Sequence, residues 1–350
     1  MTRHLILPIL ISILFSSCSS DAPVGRVIVD LNRTISTPLT LSPVLSPDTT
    51  IRHIAPTPDG VYTIPTDSIP TGLYLATLSP SLQLPLVIHT NATQRLCGTA
   101  QEWDDLTASD PETQAAITAN RLRLSLSSAS DSALAHLPLT NPTSRALAAD
   151  SLTILRAQAR STADAILNTL PDSSLAAIPL LGIPGLYDDV TDYRLLARRY
   201  GILSSAFPDI TPLRDRSAQL ATLGRLIALR NALASGNPAP SFAFVTPSSD
   251  TITSASLAGR RFTIALLPDS ATATHALEFV ALYAADGQRI LADCPANVPL
   301  PQKGSILRGR FVSLDNLHDL NSFAPALISV AQDATIASFR LGQKAKSQNQ

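Results

Sequence analysis

The sequence is short of charge, of aromatic residues and of cysteine, and each shortage excludes a class of protein. Charged residues make up 15% of the 350 positions, where about a quarter is usual. The 26 basic and 27 acidic residues nearly balance, so nucleic-acid binding, which needs a basic excess, is not expected. Three Cys residues are too few for a disulfide scaffold. Aromatic residues are scarce at 5%, but the hydrophobic fraction of 45% is enough for a folded core and excludes general disorder.

The only long apolar run stands at the start of the chain. It covers eleven largely apolar residues from Leu5 to Phe15, which is too short to span a bilayer but has the length of a signal-peptide core. The segment Phe15-Ser-Ser-Cys18 that follows resembles a bacterial lipobox. The resemblance implies cleavage before Cys18 and lipidation of that residue, and the alternative is an ordinary secretory signal with a chance Cys.

The lipobox resemblance predicts where the protein is held. Residues 1–17 form the signal peptide, and residues 18–23 form a short lipidated tether. Several acyl chains on one residue anchor a protein stably, so we expect attachment to a membrane through Cys18. Ser19 beside the lipidated residue favours the outer membrane by analogy with other lipoproteins, and whether the chain faces the periplasm or the surface stays open.

Residues 24–107 have the pattern of a β domain. Short apolar runs such as Val27-Ile-Val29 and Leu73-Tyr-Leu-Ala-Thr-Leu78 alternate with turn residues, and Asp59-Gly60 is a hairpin signal. Nine Pro residues between positions 38 and 85 punctuate these runs. Because Pro removes a donor from the strand ladder, the pattern predicts a small antiparallel β-sandwich with Pro at edges and turns.

Two further segments complete the predicted α+β multidomain fold. Residues 108–235 predict a helical spacer, which begins at Asp110-Pro111-Glu112 and ends at a Ser235-Gly236 C-cap. Within it, a helical stripe of apolar residues from Ser144 is predicted to stop at Pro171. Residues 236–343 predict an α/β domain, with a helix over 274–285 and five strands over 262–267, 289–292, 310–314, 326–330 and 336–339. Residues 344–350 form a polar tail.

The order of motifs resembles that of a family of Bacteroidetes envelope lipoproteins. The motifs are Asp59-Gly60-Val-Tyr-Thr-Ile64, Gly236-Asn-Pro-Ala-Pro-Ser-Phe-Ala-Phe244, Leu257-Ala-Gly259-Arg-Arg-Phe262 and Ala324-Pro325. In that family a domain of unknown function (the DUF4369 type) precedes a thioredoxin-like domain of the thiol-disulfide oxidoreductase type. The resemblance implies a C-terminal thioredoxin-like domain in which Pro325 takes the position of the family's cis-Pro.

The sequence departs from that family at the redox motif. The family carries Cys-x-x-Cys after the first core strand, whereas here that strand runs into a loop without Cys. The residues of this degenerate active-site loop are Pro268, Asp269, Ser270, Ala271, Thr272 and His275. Disulfide exchange needs a thiolate and a resolving thiol, so no dithiol chemistry is expected. Asp269 and Ser270 are interpreted as a helix cap, and a Ser-His-Asp triad with His275 is the weaker alternative because no nucleophile elbow is present.

Cys97 and Cys294 remain once Cys18 is lipidated, and they lie in different predicted domains. Either they form one interdomain disulfide, or they are two free thiols that pack as small hydrophobic residues. Catalysis by Cys294 is a third and weaker reading. The six His residues have no metal-ligand spacing, and no glycine-rich phosphate loop is present, so neither metal nor cofactor is expected.

These observations favour a lipoprotein without enzymatic activity over two alternatives. The leading hypothesis is a non-catalytic binding or scaffold protein that is held in the envelope and contacts an unknown envelope protein. One alternative is a thiol-dependent redox protein that uses Cys294, with or without Cys97. The other is an accessory subunit of an outer-membrane uptake complex, in which the β domain does the binding.

Overall fold

A computed structural model describes residues 25–31, 36–45, 51–79, 82–99, 105–135, 142–267, 289–294, 305–315, 320–323 and 325–341. Within these ranges the protein is a mixed α/β structure with three sheets and five α-helices. The chain divides into two compact units, residues 1–188 with 198–215 and residues 189–197 with 216–350. The signal-like run, Cys18 and the tether lie outside the described residues, and the predicted domain boundaries remain predictions.

The first unit contains two four-stranded sheets. Its strands are β1 (Arg26–Asp30), β2 (Leu39–Pro43), β3 (Arg52–Ile54), β4 (Val61–Pro65), β5 (Gly72–Ser79), β6 (Leu82–Ile88), β7 (Gln94–Cys97) and β8 (Thr107–Ala108). One sheet has the order β4-β1-β7-β8 and the other β3-β2-β5-β6. Alternate residues of both sheets enter one hydrophobic core, to which β1 contributes Val27 and Val29 and β2 contributes Leu39 and Leu41. The period of two in the apolar pattern produces this inward face.

The expectation of purely antiparallel pairing is wrong at one place. β1 pairs with β7 in parallel, with Val27 opposite Gln94 and Asp30 opposite Cys97. Parallel neighbours need a long connection rather than a tight turn. The connection from β1 to β7 supplies it, because it contains five other strands.

Three helices follow in the first unit: α1 (Pro111–Ala135), α2 (Pro142–Thr169) and α3 (Ala177–Leu181). The predicted start at Asp110 is confirmed, since its Oδ2 accepts a hydrogen bond from the Thr113 amide at 2.7 Å. α2 ends just before Pro171, as its pattern predicted. The guanidinium of Arg199 donates to the carbonyl oxygens of Leu167 and Pro171, so a buried cation satisfies the end of α2.

The last two helices are α4 (Tyr193–Ala206) and α5 (Thr211–Ala232). The predicted Ser235-Gly236 cap is wrong, because α5 ends earlier. The Asn237 side-chain amide instead donates to the carbonyl oxygens of Asn231 at 2.8 Å and Ala232 at 3.2 Å. Gly236 has a φ of 90°, and its backbone amide donates a hydrogen bond to the carbonyl oxygen of Ile336 at 2.9 Å. Its conformational freedom serves the turn into the sheet rather than the helix end. Among the described helices, none is both long and apolar enough to cross a membrane.

The second unit contains a seven-stranded sheet. Its strands are β9 (Phe242–Val245), β10 (Thr251–Thr253), β11 (Phe262–Leu266), β12 (Arg289–Asp293), β13 (Ser305–Leu314), β14 (Ala326–Val330) and β15 (Ile336–Leu341), in the order β10-β9-β13-β12-β11-β14-β15. β11, β12 and β13 run parallel, and β14 pairs antiparallel with β11 and β15. The five predicted core strands of this region are therefore confirmed. The helix expected over 274–285 lies outside the described residues.

The core of this sheet lies on the face that α5 covers. Leu229 of α5 and Leu233, just after the end of that helix, belong to the same buried cluster as Phe244, Ile264 and Leu291. Phe242 packs edge-on against two further rings, with centroids 5.6 and 5.5 Å away. This face and the strand pairing together fix the positions of the strand ends that form the candidate site.

Candidate functional site

Three strand ends meet at one end of the seven-stranded sheet, which we call the sheet edge. They are the carboxyl ends of β11 and β12 and the amino end of β14. Leu266, the last residue of β11, pairs with Asp293 at the end of β12 and with Ala326 at the start of β14. Pro325 precedes Ala326 directly and is buried. In open α/β sheets, ligand sites lie outside the carboxyl ends of the strands. The structure therefore places the predicted Pro325 at the edge where the chain leaves β11 toward the degenerate loop.

Cys294 lies at the same edge, and the sequence did not indicate this. It is the residue after β12, and the Leu267 amide donates to the carbonyl oxygen of its neighbour Asp293 at 2.9 Å. The Cys294 residue is only 6% exposed. A buried thiol thus lies at this edge, directly after β12, the strand that pairs with β11.

The Arg308 guanidinium is the polar partner of the Cys294 thiol. Ala292 pairs with Arg308 across β12 and β13, so Arg308 shares a sheet face with Cys294, two residues further along. Burial raises the pKa of Cys294, and the charge and hydrogen bond of Arg308 oppose that rise without cancelling it. Asp293 adds a smaller contribution that also raises the pKa. The thiol is therefore protonated near neutral pH.

The Asp293 side chain links the end of β12 to the neighbouring strand β13. Its Oδ2 accepts a hydrogen bond from the Phe311 amide at 3.1 Å, next to an irregularity in β13 between Phe311 and Ser313. The carboxylate therefore supplies an acceptor where the regular ladder is interrupted. This contact positions β13, and with it Arg308, against β12.

Arg308 is the residue that sequence reasoning missed. The pattern predicted a strand over 310–314, whereas β13 spans Ser305–Leu314. A longer strand alone would not have identified Arg308 as a thiol partner, because that depends on the parallel register between β12 and β13.

Cys97 has its own polar neighbours in the first unit. It is partly buried at the end of β7. The Arg95 guanidinium contacts Asp30 Oδ2 at 2.7 Å and also the Cys97 thiol, and both hydrogen bonds raise the pKa of Arg95. Cys97 and Cys294 are free thiols in the structure, and they belong to different units.

Several predicted residues lie outside the described ranges. They are Cys18 and the loop residues Pro268, Asp269, Ser270, Ala271, Thr272 and His275. The helix cap in that loop therefore remains a prediction from the sequence, and the catalytic triad remains its weaker alternative. In the part of the chain that the structure does describe, no group of three or more His, Cys, Asp and Glu residues could hold a metal ion.

Three solved structures that are similar to part of this chain are of the thioredoxin or thiol-disulfide oxidoreductase type. One is a thiol-disulfide oxidoreductase candidate from Bacteroides vulgatus, with 14% identity and a TM-score of 0.22 over 31% of this chain and 85% of its own. Another is a thioredoxin-like protein from Bacteroides caccae, with 10% identity and a TM-score of 0.25 over 57% of this chain and 80% of its own. A third is the exposed lipoprotein thioredoxin of Streptococcus pneumoniae, with 12% identity and a TM-score of 0.20 over 30% of this chain and 92% of its own.

These likenesses are small and assign no activity to this chain. No protein-family model matches the sequence, and no curated protein matches it. The functional argument therefore rests on the geometry of the sheet edge.

Proposed function

We propose that this chain is an envelope lipoprotein whose C-terminal thioredoxin-like domain binds or scaffolds a partner and performs no dithiol chemistry. In this proposal Cys18 carries the lipid and holds the chain at the outer membrane, and the two N-terminal sheets form a β-sandwich domain. One observation carries the functional part. The thiol at the sheet edge, Cys294, is buried, and burial raises its pKa.

A redox role would need two properties that this edge lacks in its described residues. The nucleophile must be an accessible thiolate, and Cys294 is a buried thiol. A second thiol must lie within bonding distance to resolve the mixed disulfide, and the loop that follows β11 contains no Cys. Cys97, the other thiol left after lipidation, belongs to the other unit. The edge keeps the outline of a redox site without its reacting atoms.

An insulin-reduction assay on the purified full chain tests the non-catalytic role. We expect no reduction above the rate of the thiol reductant alone, and the same rate for Cys294→Ser. Cys97→Ser serves as the matched control, because it also removes one thiol. Reduction by the native chain that Cys294→Ser abolishes and Cys97→Ser leaves intact would overturn the proposal.

The contact between Arg308 and Cys294 supports a second candidate, a redox protein that uses Cys294. A guanidinium beside a thiol stabilises the thiolate, and local opening of the edge would expose it. Thiol titration with a chromogenic disulfide separates the two candidates. The scaffold proposal expects Cys294 to react only after denaturation, whereas rapid reaction in the native chain favours the redox candidate.

The lipid anchor has an independent test. Cells that express the full chain are fed an alkyne-tagged fatty acid, and the chain is then isolated and its label is measured. We expect label on the native chain and none on Cys18→Ser. Equal labelling of both would contradict lipidation at Cys18 while leaving the conclusion about the sheet edge unchanged.

A further inference from the structure

The point where the described chain enters the first unit is held between two loops. The Gly25 carbonyl oxygen accepts a hydrogen bond from the Thr66 amide at 2.9 Å, and the Thr66 carbonyl oxygen accepts one from the Asn91 amide at 3.3 Å. A Cβ at Gly25 would lie 2.2 Å from the Asn91 carbonyl carbon, so the backbones are packed closely there. The segment that joins Cys18 to the fold therefore enters at a fixed position.

The hairpin of β2 and β3 ends at the same side of the first unit. The amide of Val44, which follows β2, donates to the Leu73 carbonyl oxygen at 2.9 Å, at the start of β5. Ile51 precedes Arg52 of β3, and the Arg52 guanidinium donates to the Ser68 carbonyl oxygen at 2.9 Å. We define the tether end as Gly25, Val44, Ile51, residues 66–71 and residues 89–93.

Two exposed apolar side chains stand at the tether end. Val44 is 48% exposed and Ile51 is 55% exposed. The other large apolar side chains that the structure describes within residues 25–108 are buried or half-buried. Exposure of large apolar side chains in the two sheets and their loops is thus confined, in the described residues, to the end where the chain enters.

The length of chain between Cys18 and Gly25 limits how the first unit can face a bilayer. Seven steps along the chain separate these residues, and they span at most about 25 Å. The eight residues of β5 extend over about 27 Å. If the opposite end of the sheets touched the bilayer, Gly25 would stand beyond the reach of the tether. That opposite end includes Asp59, which is exposed in the turn before β4, because Val61 of β4 pairs with Asp30 at the end of β1.

We propose that the tether end is a membrane-contact surface, and that Val44 and Ile51 insert between the lipid headgroups and the acyl chains. The inference rests on the proposed lipidation of Cys18, which makes the bilayer the occupant. Two arguments favour the bilayer over a protein partner. The short tether keeps this end within reach of the lipid, and both apolar side chains leave water on insertion.

The charges of the tether end decide what kind of lipid it needs. Charged groups of both signs stand there: Arg26, Arg52, Asp67 and the pair of His89 with Glu112, whose Nε2 and Oε2 lie 3.4 Å apart. Because neither sign dominates, attraction to anionic headgroups contributes little. We therefore expect contact with zwitterionic phosphatidylcholine vesicles as well as with anionic ones.

Fluorescence quenching in vesicles tests the proposal with the full lipidated chain. The chain carries Cys97→Ser and Cys294→Ser, and either Ile51→Cys or, as the control, Asp59→Cys is labelled with nitrobenzoxadiazole. The vesicles are phosphatidylcholine with or without lipids that bear a nitroxide in the upper acyl chain. We expect at least twofold quenching at position 51 and none at position 59. Equal quenching at the two positions, or none at position 51, would overturn the proposal.

Mass spectrometry of the same preparation separates this inference from the proposed anchor. A chain without acyl groups on Cys18 would overturn both proposals. A lipidated chain that shows no quenching at position 51 would overturn the membrane-contact surface alone and leave the anchor intact.

Reaction with a membrane-impermeant maleimide gives a second test in the same background. We expect the cysteine of Ile51→Cys to react at least tenfold more slowly in the vesicle-bound lipidated chain than in Cys18→Ser, and the cysteine of Asp59→Cys to react equally in both. Adding Val44→Glu should restore the reaction at position 51. Circular dichroism should show that the variants stay folded, because the replaced side chains are exposed. Equal rates at position 51 in the lipidated chain and in Cys18→Ser contradict insertion.

Discussion

The backbone amide of Leu267 donates a hydrogen bond to the carbonyl oxygen of Asp293 at 2.9 Å. This contact continues the pairing of β11 with β12 to the ends of both strands and sets Cys294 near Leu267, the residue that precedes Pro268. The ends of β11 and β12 are therefore held together at this sheet edge, and the edge holds a thiol. That thiol is buried against Arg308 rather than presented on the loop.

The ionisation of Cys294 should appear in the pH dependence of stability. Burial makes the pKa of Cys294 higher in the folded chain than in the unfolded one. The stabilising contribution is therefore complete below the unfolded pKa, about 8.5, and is lost as the pH rises through the folded pKa. We expect the Tm of the native chain to fall more above about pH 8.5 than the Tm of Cys294→Ala. Cys97→Ala is the control and should follow the native curve.

Removal of Arg308 should make the Cys294 thiol less acidic still. In Arg308→Gln the charge that opposes the effect of burial is gone, so the pKa rises further. We expect slower alkylation of Cys294 by iodoacetamide at a fixed alkaline pH, as followed by mass spectrometry. Arg310→Gln, two residues along the same strand and exposed, should leave the rate unchanged. Faster alkylation in Arg308→Gln alone would show that Arg308 shields the thiol rather than acidifies it.

Two adjacent arginines on α4 should differ strongly in their effect on stability. Both contact Asp172, but the Arg199 side chain is 7% exposed and that of Arg198 is 68% exposed. Arg199→Ala removes the hydrogen-bond donor of the carbonyl oxygens at the end of α2 and the buried partner of the Asp172 carboxylate. We expect this loss to lower the free energy of unfolding by about 3 kcal/mol. Arg198→Ala should cost about 1 kcal/mol or less. Urea unfolding of both variants measures the difference, and equal losses would contradict the capping role of Arg199.

Two glycines form a second matched pair. A Cβ at Gly309 would lie 2.3 Å from the Val245 carbonyl oxygen and 2.6 Å from the Phe244 ring, so Gly309→Ala should destabilise the sheet by about 2 kcal/mol or more. At Gly201, in the interior of α4, a Cβ would meet nothing within 4 Å. Gly201→Ala should instead stabilise the chain by about 0.5 to 1 kcal/mol through helix propensity. Thermal unfolding should show Tm changes of opposite sign, and a neutral Gly309→Ala would contradict the tight contact of β9 and β13.

The local patterns predicted most of the described elements. The start of α1 at Asp110, the stop of α2 before Pro171 and the core strands of the second unit follow from caps, Pro positions and hydrophobic period. The end of α5 did not follow, because the Asn237 side chain reaches back over the chain to the last carbonyl oxygens. The parallel pairing of β1 with β7 did not follow either, because nothing near β1 in the sequence identifies a partner so far along the chain.

By itself, the sequence predicted a lipobox at Cys18 after an apolar run, and it determined that residues 268–275, directly after β11, contain no Cys. Both are properties of residue type and order. Only the tertiary structure decided that Cys294 lies at the same sheet edge as Leu267 and Pro325, and that Arg308 is its partner. The physical reason is that strand register is a long-range property. The parallel pairings of β11, β12 and β13 bring residues more than ten positions apart into contact, and burial in that sheet then sets the protonation of the thiol.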